Sequence, residues 1–150
     1  MKTSFELDTP ILFLVFNRLN TTKQVFEEIK KTKPKQLFIA ADGPRNKEEK
    51  KKTDAVKKYV LDNIDWKCQV KTLFRKKNLG CKYAVSGAID WFFENVEQGI
   101  ILEDDCLPDQ SFFRFCQEML ERYKNEKKIL NITGQNPLCK HNFFKSYSFS

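Results

Sequence analysis

The stretch ILFLVF, residues 11–16, decides the fold because all six of its residues are apolar. A strand with water on one face alternates apolar and polar side chains, whereas a strand covered on both faces is apolar throughout. The stretch therefore predicts a central strand of a sheet that has other elements packed on both of its faces.

Similar apolar strands alternate with amphipathic helices along the rest of the chain. Strands are predicted at residues 37–41, 70–74, 100–102 and 129–133, and helices at residues 21–33, 47–61, 81–94 and after Asp109. The first helix is predicted to open with a capping box, Thr21 to Gln24, and to end before Pro34. Alternation at this spacing predicts an α/β fold with a mostly parallel sheet, in a three-layer α/β/α arrangement. The third strand, which alternates less cleanly, is expected nearer an edge of the sheet.

The composition suits one globular domain, residues 1–150, with 41% apolar residues and a net charge of +7. Many lysines fall in NKEEKKKTDAVKKYV, residues 46–60, where acidic residues are interleaved with them at helical spacing. This pattern predicts a solvated helix face. It gives poor support for nucleic-acid binding, and no nucleic-acid partner is expected.

The apolar runs and the cysteines suggest a compartment. The longest apolar run, residues 11–16, is far shorter than the roughly 20 residues that span a bilayer. We expect a cytoplasmic domain with no transmembrane segment, while peripheral membrane association stays open. The five cysteines include no C-x-x-C pair, which favours reduced thiols. Cys139 and His141 resemble half of a zinc site, but no second pair at suitable spacing completes it.

Polar residues follow several of the predicted strands at the point where each strand ends. Open α/β sheets bind ligands in the crevice beyond the carboxyl ends of their strands. Side chains from separate parts of the chain should therefore meet at one edge of the sheet. The candidates are Asn17 and Arg18 after the first strand, Asp42 after the second, Glu103-Asp104-Asp105 after the fourth, and Gly134-Gln135-Asn136 after the fifth.

The three successive carboxylates need an electrostatic explanation. Two unit charges ~4 Å apart repel by about 4 kcal/mol at an effective dielectric constant of ~20, so the cluster needs full solvation or a cation. Carboxylates are the hard ligands that Mg²⁺ and Mn²⁺ prefer. Asp105 is the first candidate as metal ligand, with Glu103 or Asp104 assisting directly, through water or through ribose hydroxyls. Arg18 can pair bidentately with phosphate, and Asp42 can accept hydrogen bonds from a base or ribose.

Each candidate also has a simpler explanation. Asp109 can cap the following helix, and Asp42 in Asp-Gly-Pro is a natural turn former. Arg18 can be an ordinary surface residue. Asn78-Leu79-Gly80 is as well explained by a turn as by a substrate contact. Three contiguous acids, however, exceed what helix capping requires.

Four segments, taken in order and spacing, resemble the nucleotide-binding half of GT-A-fold glycosyltransferases. The segments are PILFLVFNR (10–18), LFIAADGP (37–44), FRKKNLG (74–80) and GIILEDDCLPDQSFFRF (99–115). The likeness covers residues 10–136 and is strongest to bacterial family 2-type transferases and to N-acetylglucosaminyltransferase I. Its most specific piece is Glu-Asp-Asp, this family's form of the Asp-x-Asp motif.

The resemblance implies a Rossmann-like GT-A fold and a role for each matching residue. Asp105 would coordinate Mn²⁺ or Mg²⁺ that bridges the diphosphate of a UDP-sugar donor, and Glu103 and Asp104 would lie against ribose and uracil. The other residues that it implies around the donor are Asp42 at the uracil ring, Arg18 at the phosphates, and Gly80 and Lys82 at the border of the site.

The implied activity is transfer of a sugar from a nucleotide-diphosphate sugar to a hydroxyl of a glycan, lipid-linked or small-molecule acceptor. In inverting members a carboxylate from a later segment deprotonates the acceptor. The resemblance therefore implies a catalytic base beyond Ser150, in a longer transferase of which residues 1–150 are the nucleotide-sugar-binding part.

Two other classes of function stay under consideration. A sugar nucleotidyltransferase should carry a glycine-rich phosphate loop after the first strand, and residues 17–20, NRLN, contain no glycine. A receiver-like regulatory domain should have paired acids after its first strand, which this chain lacks. A nucleotide-binding relic or regulatory module without catalysis is not excluded by the sequence.

Overall fold

The computed structural model describes residues 5–134, in which four strands and four helices strictly alternate. The elements are β1 (Ile11–Val15), α1 (Leu19–Thr32), β2 (Gln36–Ala41), α2 (Lys47–Asp62), β3 (Gln69–Phe74), α3 (Cys81–Phe93), β4 (Ile100–Glu103) and α4 (Gln110–Tyr123). The predicted α/β class is confirmed.

The four strands form one parallel sheet in the order β3-β2-β1-β4. Ile11 in β1 lies opposite Leu37 in β2 on one side and Ile100 in β4 on the other. The central position of β1 and the edge position of β3 are both as predicted. Because all four strands run the same way, their carboxyl ends lie along a single edge of the sheet. This arrangement is compatible with a Rossmann-like fold.

The core lies on both faces of β1. Successive strand side chains point to opposite faces. Ile11, Phe13 and Val15 therefore pack in one cluster with buried residues of α1, α2 and α4. Leu12 and Leu14 pack in a second cluster with α3. All five residues are nearly inaccessible to water, which explains why the stretch is apolar throughout.

The predicted start of α1 is wrong. The helix begins at Leu19, and no side chain caps its N-terminus. The hydroxyls of Thr21 and Thr22 instead donate to the carbonyl of Arg18, at 3.1 and 2.7 Å. Thr21 is thus already inside the first turn and cannot serve as the N-cap. Arg18, with a φ of −104° and a ψ of 80°, is the last residue outside the helix.

The predicted fifth strand at residues 129–133 is also wrong. In the described part of the chain these residues join no sheet, and Leu130 is 94% exposed. The chain leaves α4 through two backbone turn bonds, Glu126 N–H to the Tyr123 carbonyl and Ile129 N–H to the Glu126 carbonyl. Gly134 lies against the ring of Phe112 on α4, away from the strand ends. Gln135 and Asn136 lie outside the described residues.

Two predicted features of the helices are confirmed. Asp109 caps α4 by accepting a hydrogen bond from the backbone N–H of Ser111 at 2.8 Å. The lysine-rich segment forms α2, whose exposed side carries ion pairs between residues four apart. These pairs are Lys50–Asp54, Lys52–Glu48 and Lys58–Asp62.

Residues 5–134 contain no helix that is both long enough and apolar enough to cross a membrane. Within the described residues, the thiols of Cys68, Cys81, Cys106 and Cys116 are free. The possible half zinc site at Cys139 and His141 lies outside the described residues. The cytoplasmic location stays a prediction.

Candidate functional site

The carboxyl edge of the sheet borders a cavity of about 280 Å³. Its walls are partly apolar, with Ala40 from β2 and Ala84 and Val85 from α3. Its polar lining comes from segments that follow all four strands, which confirms that the strand ends converge. The polar lining residues are Arg18, Asp42, Arg45, Arg75, Asn78, Glu103 and Asp104.

Arg18 bridges the two aspartates of the acidic cluster. Its Nη2 lies 2.5 Å from Oδ1 of Asp104, and its Nη1 lies 2.9 Å from Oδ2 of Asp105. Asp104 is 3% exposed and also accepts a hydrogen bond from the backbone N–H of Phe16 at 3.3 Å. Hydrogen bonding to Asp104, ahead of the other contacts, raises the pKa of Arg18 above its already high value. The cation beside the carboxylates in this structure is therefore a guanidinium.

The carboxylates fit a hard divalent cation unequally. Both oxygens of Asp104 already contact protein donors, and its side chain is 4% exposed. The side chain of Asp105 is 43% exposed, so a cation from solvent could reach it if its ion pair with Arg18 broke. Residues 5–134 contain no cluster of three or more metal-binding side chains. Mg²⁺ commonly takes only one or two protein carboxylates and completes its shell with phosphate and water, so the donor set at Asp105 suits it.

Asp42 is engaged by the backbone of a neighbouring loop. Its Oδ1 accepts hydrogen bonds from the N–H groups of Gly43 and Leu79, at 2.8 and 3.0 Å. Its Oδ2 accepts from the N–H of Gly80 at 3.0 Å. Asp42 thus ties the end of β2 to the start of α3. Its predicted contact with a base or ribose stays a prediction, and it lines the cavity as that prediction requires.

Two residues near the start of α3 are predicted at the border of the site. Gly80 lines the cavity, and Lys82 does not. Gly80 lines the cavity and has a φ of 79°, a left-handed conformation that glycine adopts without strain. Lys82 is exposed in the first turn of α3, with its Nζ 5.6 Å from the centre of the Tyr83 ring. It is not among the residues that line the cavity.

Asn17 also lies outside the cavity lining. Its Nδ2 donates to Oε1 of Glu49 in α2 at 3.0 Å. Glu49 is 6% exposed and accepts hydrogen bonds from both the guanidinium and the backbone N–H of Arg45. These bonds, the Arg45 guanidinium first, lower the pKa of Glu49 to about 2. The environment of Asn17 indicates that it joins β1 to α2.

Two charged residues of the cavity lining, Arg45 and Arg75, are not among the sequence-based candidates, and Asn78 is one that a turn explains equally well. Arg75 directly follows β3, so the strand-end rule that gave the other candidates could have found it. The amide Nδ2 of Asn78 donates to the carbonyl of Gly43 at 2.8 Å, which joins the loops after β2 and β3. Contacts of this kind depend on how two loops meet, and the sequence carries no local pattern for them.

Comparisons of the chain with models of protein families, with curated proteins and with solved structures found no match. Function can therefore be inferred only from the cavity and the charged groups around it.

Proposed function

We propose that the chain is the nucleotide-sugar-binding part of a metal-dependent glycosyltransferase with a three-layer GT-A fold. The observation that carries the proposal is the bridge from Arg18 to Asp104 and Asp105 beside a cavity at the carboxyl edge of a parallel sheet. Open α/β sheets bind nucleotides at this edge. Core clusters on opposite faces of the sheet, with α3 in one and the other helices in the second, agree with the three-layer arrangement.

In this proposal the cavity and the acidic residues bind different parts of a UDP-sugar. Ligand pockets usually enclose about 300–1,000 Å³. A cavity of about 280 Å³ would enclose the base and ribose and leave the diphosphate outside, at its acidic border. Glu103 is exposed and lines the cavity, so in the proposed binding mode it would accept hydrogen bonds from ribose hydroxyls.

The proposed reaction breaks the bond between the sugar and the diphosphate and forms a bond to an acceptor hydroxyl. A Mn²⁺ or Mg²⁺ held at Asp105 would supply Lewis-acid stabilisation of the leaving diphosphate. Arg18 would pair with the phosphates and stabilise the negative charge that develops on them. Inversion needs no protein nucleophile. The base that takes the acceptor proton is expected beyond Ser150, and the acceptor is a glycan, lipid-linked or small-molecule hydroxyl.

A thermal-shift experiment tests the proposal. UDP with Mn²⁺ should raise the melting temperature of the protein, because a ligand that binds only the folded state stabilises it. Asp105→Ala should abolish the rise. Asp54→Ala, which removes an exposed carboxylate from α2, should leave it intact. No rise in the unmodified protein with any nucleotide and metal would contradict nucleotide binding, whereas an equal rise in Asp105→Ala would contradict the metal-ligand role alone.

Arg18→Ala separates the two roles of the guanidinium. Loss of the phosphate contact should weaken binding of UDP more than binding of uridine. Loss of the positive charge beside Asp104 and Asp105 should at the same time strengthen binding of Mn²⁺ alone, because the ion no longer has to displace Arg18. Calorimetric titration with UDP, uridine and Mn²⁺ measures all three affinities. Equal losses for UDP and uridine would refute the phosphate contact.

A nucleotide-binding module without catalysis is the second candidate. The observation that favours it is that Arg18 already pairs with both Asp104 and Asp105 and so offsets one of their two negative charges without a metal ion. Such a module should bind UDP equally well with and without Mn²⁺, and a panel of nucleotide sugars should show neither hydrolysis nor transfer. The glycosyltransferase proposal requires metal-dependent turnover in at least one member of that panel.

A further inference from the structure

The cavity contains one arginine whose charge is not balanced by a carboxylate in residues 5–134. Three arginines line it. Arg18 pairs with the two aspartates, and Arg45 pairs with Glu49 at 2.5 Å. Arg75 forms no ion pair within the described residues. A half-buried guanidinium is best stabilised by hydrogen-bond acceptors, so its place in the cavity marks where the acceptor atoms of a ligand belong.

The Arg75 guanidinium is held in position by β2 and α3. Its backbone N–H donates to the Ala41 carbonyl at 3.0 Å, which extends the pairing of β2 and β3 by one residue. Its Nη1 donates to the Ala84 carbonyl in α3 at 3.2 Å. Gly87 leaves room for the group, since a Cβ there would lie 2.9 Å from Nη2. A guanidinium has five N–H donors, so donors remain for a ligand after the bond to Ala84.

Arg75 lies at the opposite end of the site from the acidic cluster. In the strand order β3-β2-β1-β4, Arg75 follows β3 and Asp104 follows β4. Three interstrand spacings separate these strands, about 14 Å. In the proposed binding mode the phosphates lie beside Arg18 and Asp105. The nucleotide base then occupies the end of the cavity that contains Asp42 and Arg75.

We propose that Arg75 selects the nucleotide by its base, donating a hydrogen bond to the carbonyl oxygen that uracil or guanine carries where cytosine or adenine carries an amino group. A guanidinium has donors only, so it pairs with the carbonyl and meets the amino group donor to donor. The inference rests on the proposed nucleotide-sugar function and extends it, because it names a residue that determines which donor nucleotides are accepted.

Binding of UDP, CDP and uridine, measured by calorimetric titration of the 150-residue chain in the presence of Mn²⁺, tests the inference. The unmodified protein should bind UDP about tenfold more tightly than CDP, the discrimination typical of a well-placed arginine–base contact. Arg75→Ala should bind the two equally. Arg75→Gln, whose amide can donate to a carbonyl or accept from an amino group, should lose the discrimination as well. Arg122→Ala, which removes an exposed arginine from α4, should change neither affinity.

The ratio of UDP to uridine affinity shows which part of the ligand Arg75 meets. Arg75→Ala should leave this ratio unchanged, because the phosphates lie at the other end of the site. A fall in the ratio, or equal weakening of UDP and CDP, would overturn the inference and assign Arg75 to the phosphates. Equal binding of UDP and CDP by the unmodified protein would overturn the inference while the proposed function stands. No binding of any nucleotide would overturn both. If circular dichroism shows that Arg75→Ala is unfolded, the discrimination of Arg75→Gln decides.

Discussion

Arg18 stabilises the acidic cluster with a charge that belongs to the chain itself. Its guanidinium spans Asp104, which is buried, and Asp105, which is not. Removing one partner of a buried charge pair leaves the other charge without compensation, and this costs more than the pair contributes when intact. A divalent ion that binds Asp105 must therefore compete with Arg18. In the proposed binding mode, an incoming diphosphate would offer the guanidinium another anion to pair with.

The lowered pKa of Glu49 predicts that the stability of the protein depends on pH. Its pKa is lowered from 4.5 to about 2 in the folded protein, so ionised Glu49 favours the folded state. This contribution is complete above about pH 5, where the unfolded protein is also ionised, and is lost as the pH falls from about 4.5 towards 2. The melting temperature of the unmodified protein should exceed that of Glu49→Gln at pH 6, and the difference should shrink on acidification.

The control for this prediction is Glu48→Gln, which changes the neighbouring exposed carboxylate on the same helix. Its melting temperature should follow that of the unmodified protein across the pH range. A difference between the unmodified protein and Glu49→Gln that stays constant from pH 6 to pH 3 would contradict the electrostatic role of Glu49.

Residue types and strand ends were enough to predict part of the site. Arg18, Asp42, Glu103 and Asp104 all line the cavity, because parallel strands bring their carboxyl ends to one edge whatever the details of packing. The partners of these residues could not be predicted in the same way. The bonds from Asp42 to the backbone of residues 79–80 join positions 37 and 38 residues apart, and only the folded loops bring them together.

At the scale of elements, apolar runs predict strands well and isolated capping motifs predict helix ends poorly. β1, β2 and β4 were located because their burial leaves a strong apolar signal, whereas β3, in which no residue is buried, was located from a weaker alternation. The fifth was not, because an apolar run becomes a strand only where a sheet edge pairs with it, and residues 129–133 instead lie beside α4. The start of α1 at Leu19 has no capping side chain, so no local motif in the sequence marks it.

The contact between the loops after β2 and β3 gives a prediction for Gly43. A Cβ at Gly43 would lie 2.3 Å from the backbone carbonyl carbon of Lys77. Gly43→Ala should therefore push away the loop that holds Arg75 and Asn78. We expect the free energy of unfolding to fall by about 1–3 kcal/mol, the usual cost of overpacking. UDP binding should weaken as well, as measured by calorimetric titration.

Gly99→Ala is the matched control, because a Cβ there would lie 2.3 Å from Cζ of Phe92, before the amino end of β4 and away from the cavity. Gly99→Ala should lower the stability of the protein. At a temperature where the variant is still folded, its affinity for UDP should equal that of the unmodified protein. Unchanged UDP binding by Gly43→Ala would show that the loop contact does not shape the site.

At the scale of the whole molecule, β1 joins two apolar clusters that lie on opposite faces of one sheet. Phe13 is fully buried in the larger cluster, where its ring lies 6.5 Å from that of Phe26 in α1. Leu12 and Leu14 pack in the other cluster with Phe92 of α3. A substitution that disrupts the packing of either cluster should therefore shift β1, the strand that precedes Arg18. We expect such a substitution to change both the stability of the protein and the position of Arg18.

Phe13→Ala tests the importance of this strand. Truncating a buried phenylalanine costs about 3–5 kcal/mol. This is a large share of the roughly 5–15 kcal/mol by which a typical domain is stable, so we expect a large fall in the urea midpoint. Phe93→Ala removes a ring that is 45% exposed and should cost about 1 kcal/mol or less. Similar midpoints for the two variants would contradict the assignment of Phe13 to the core.

The exposed thiol of Cys81, at the start of α3, also lines the cavity. Burial raises the pKa of Cys116 to about 12, so that thiol is unreactive at neutral pH, whereas Cys81 is open to solvent. A small electrophile attached to a molecule in the cavity would thus meet a nucleophile within reach. The same thiol would expose the site to oxidants, and a bulky adduct on its sulfur would reduce the space in the cavity.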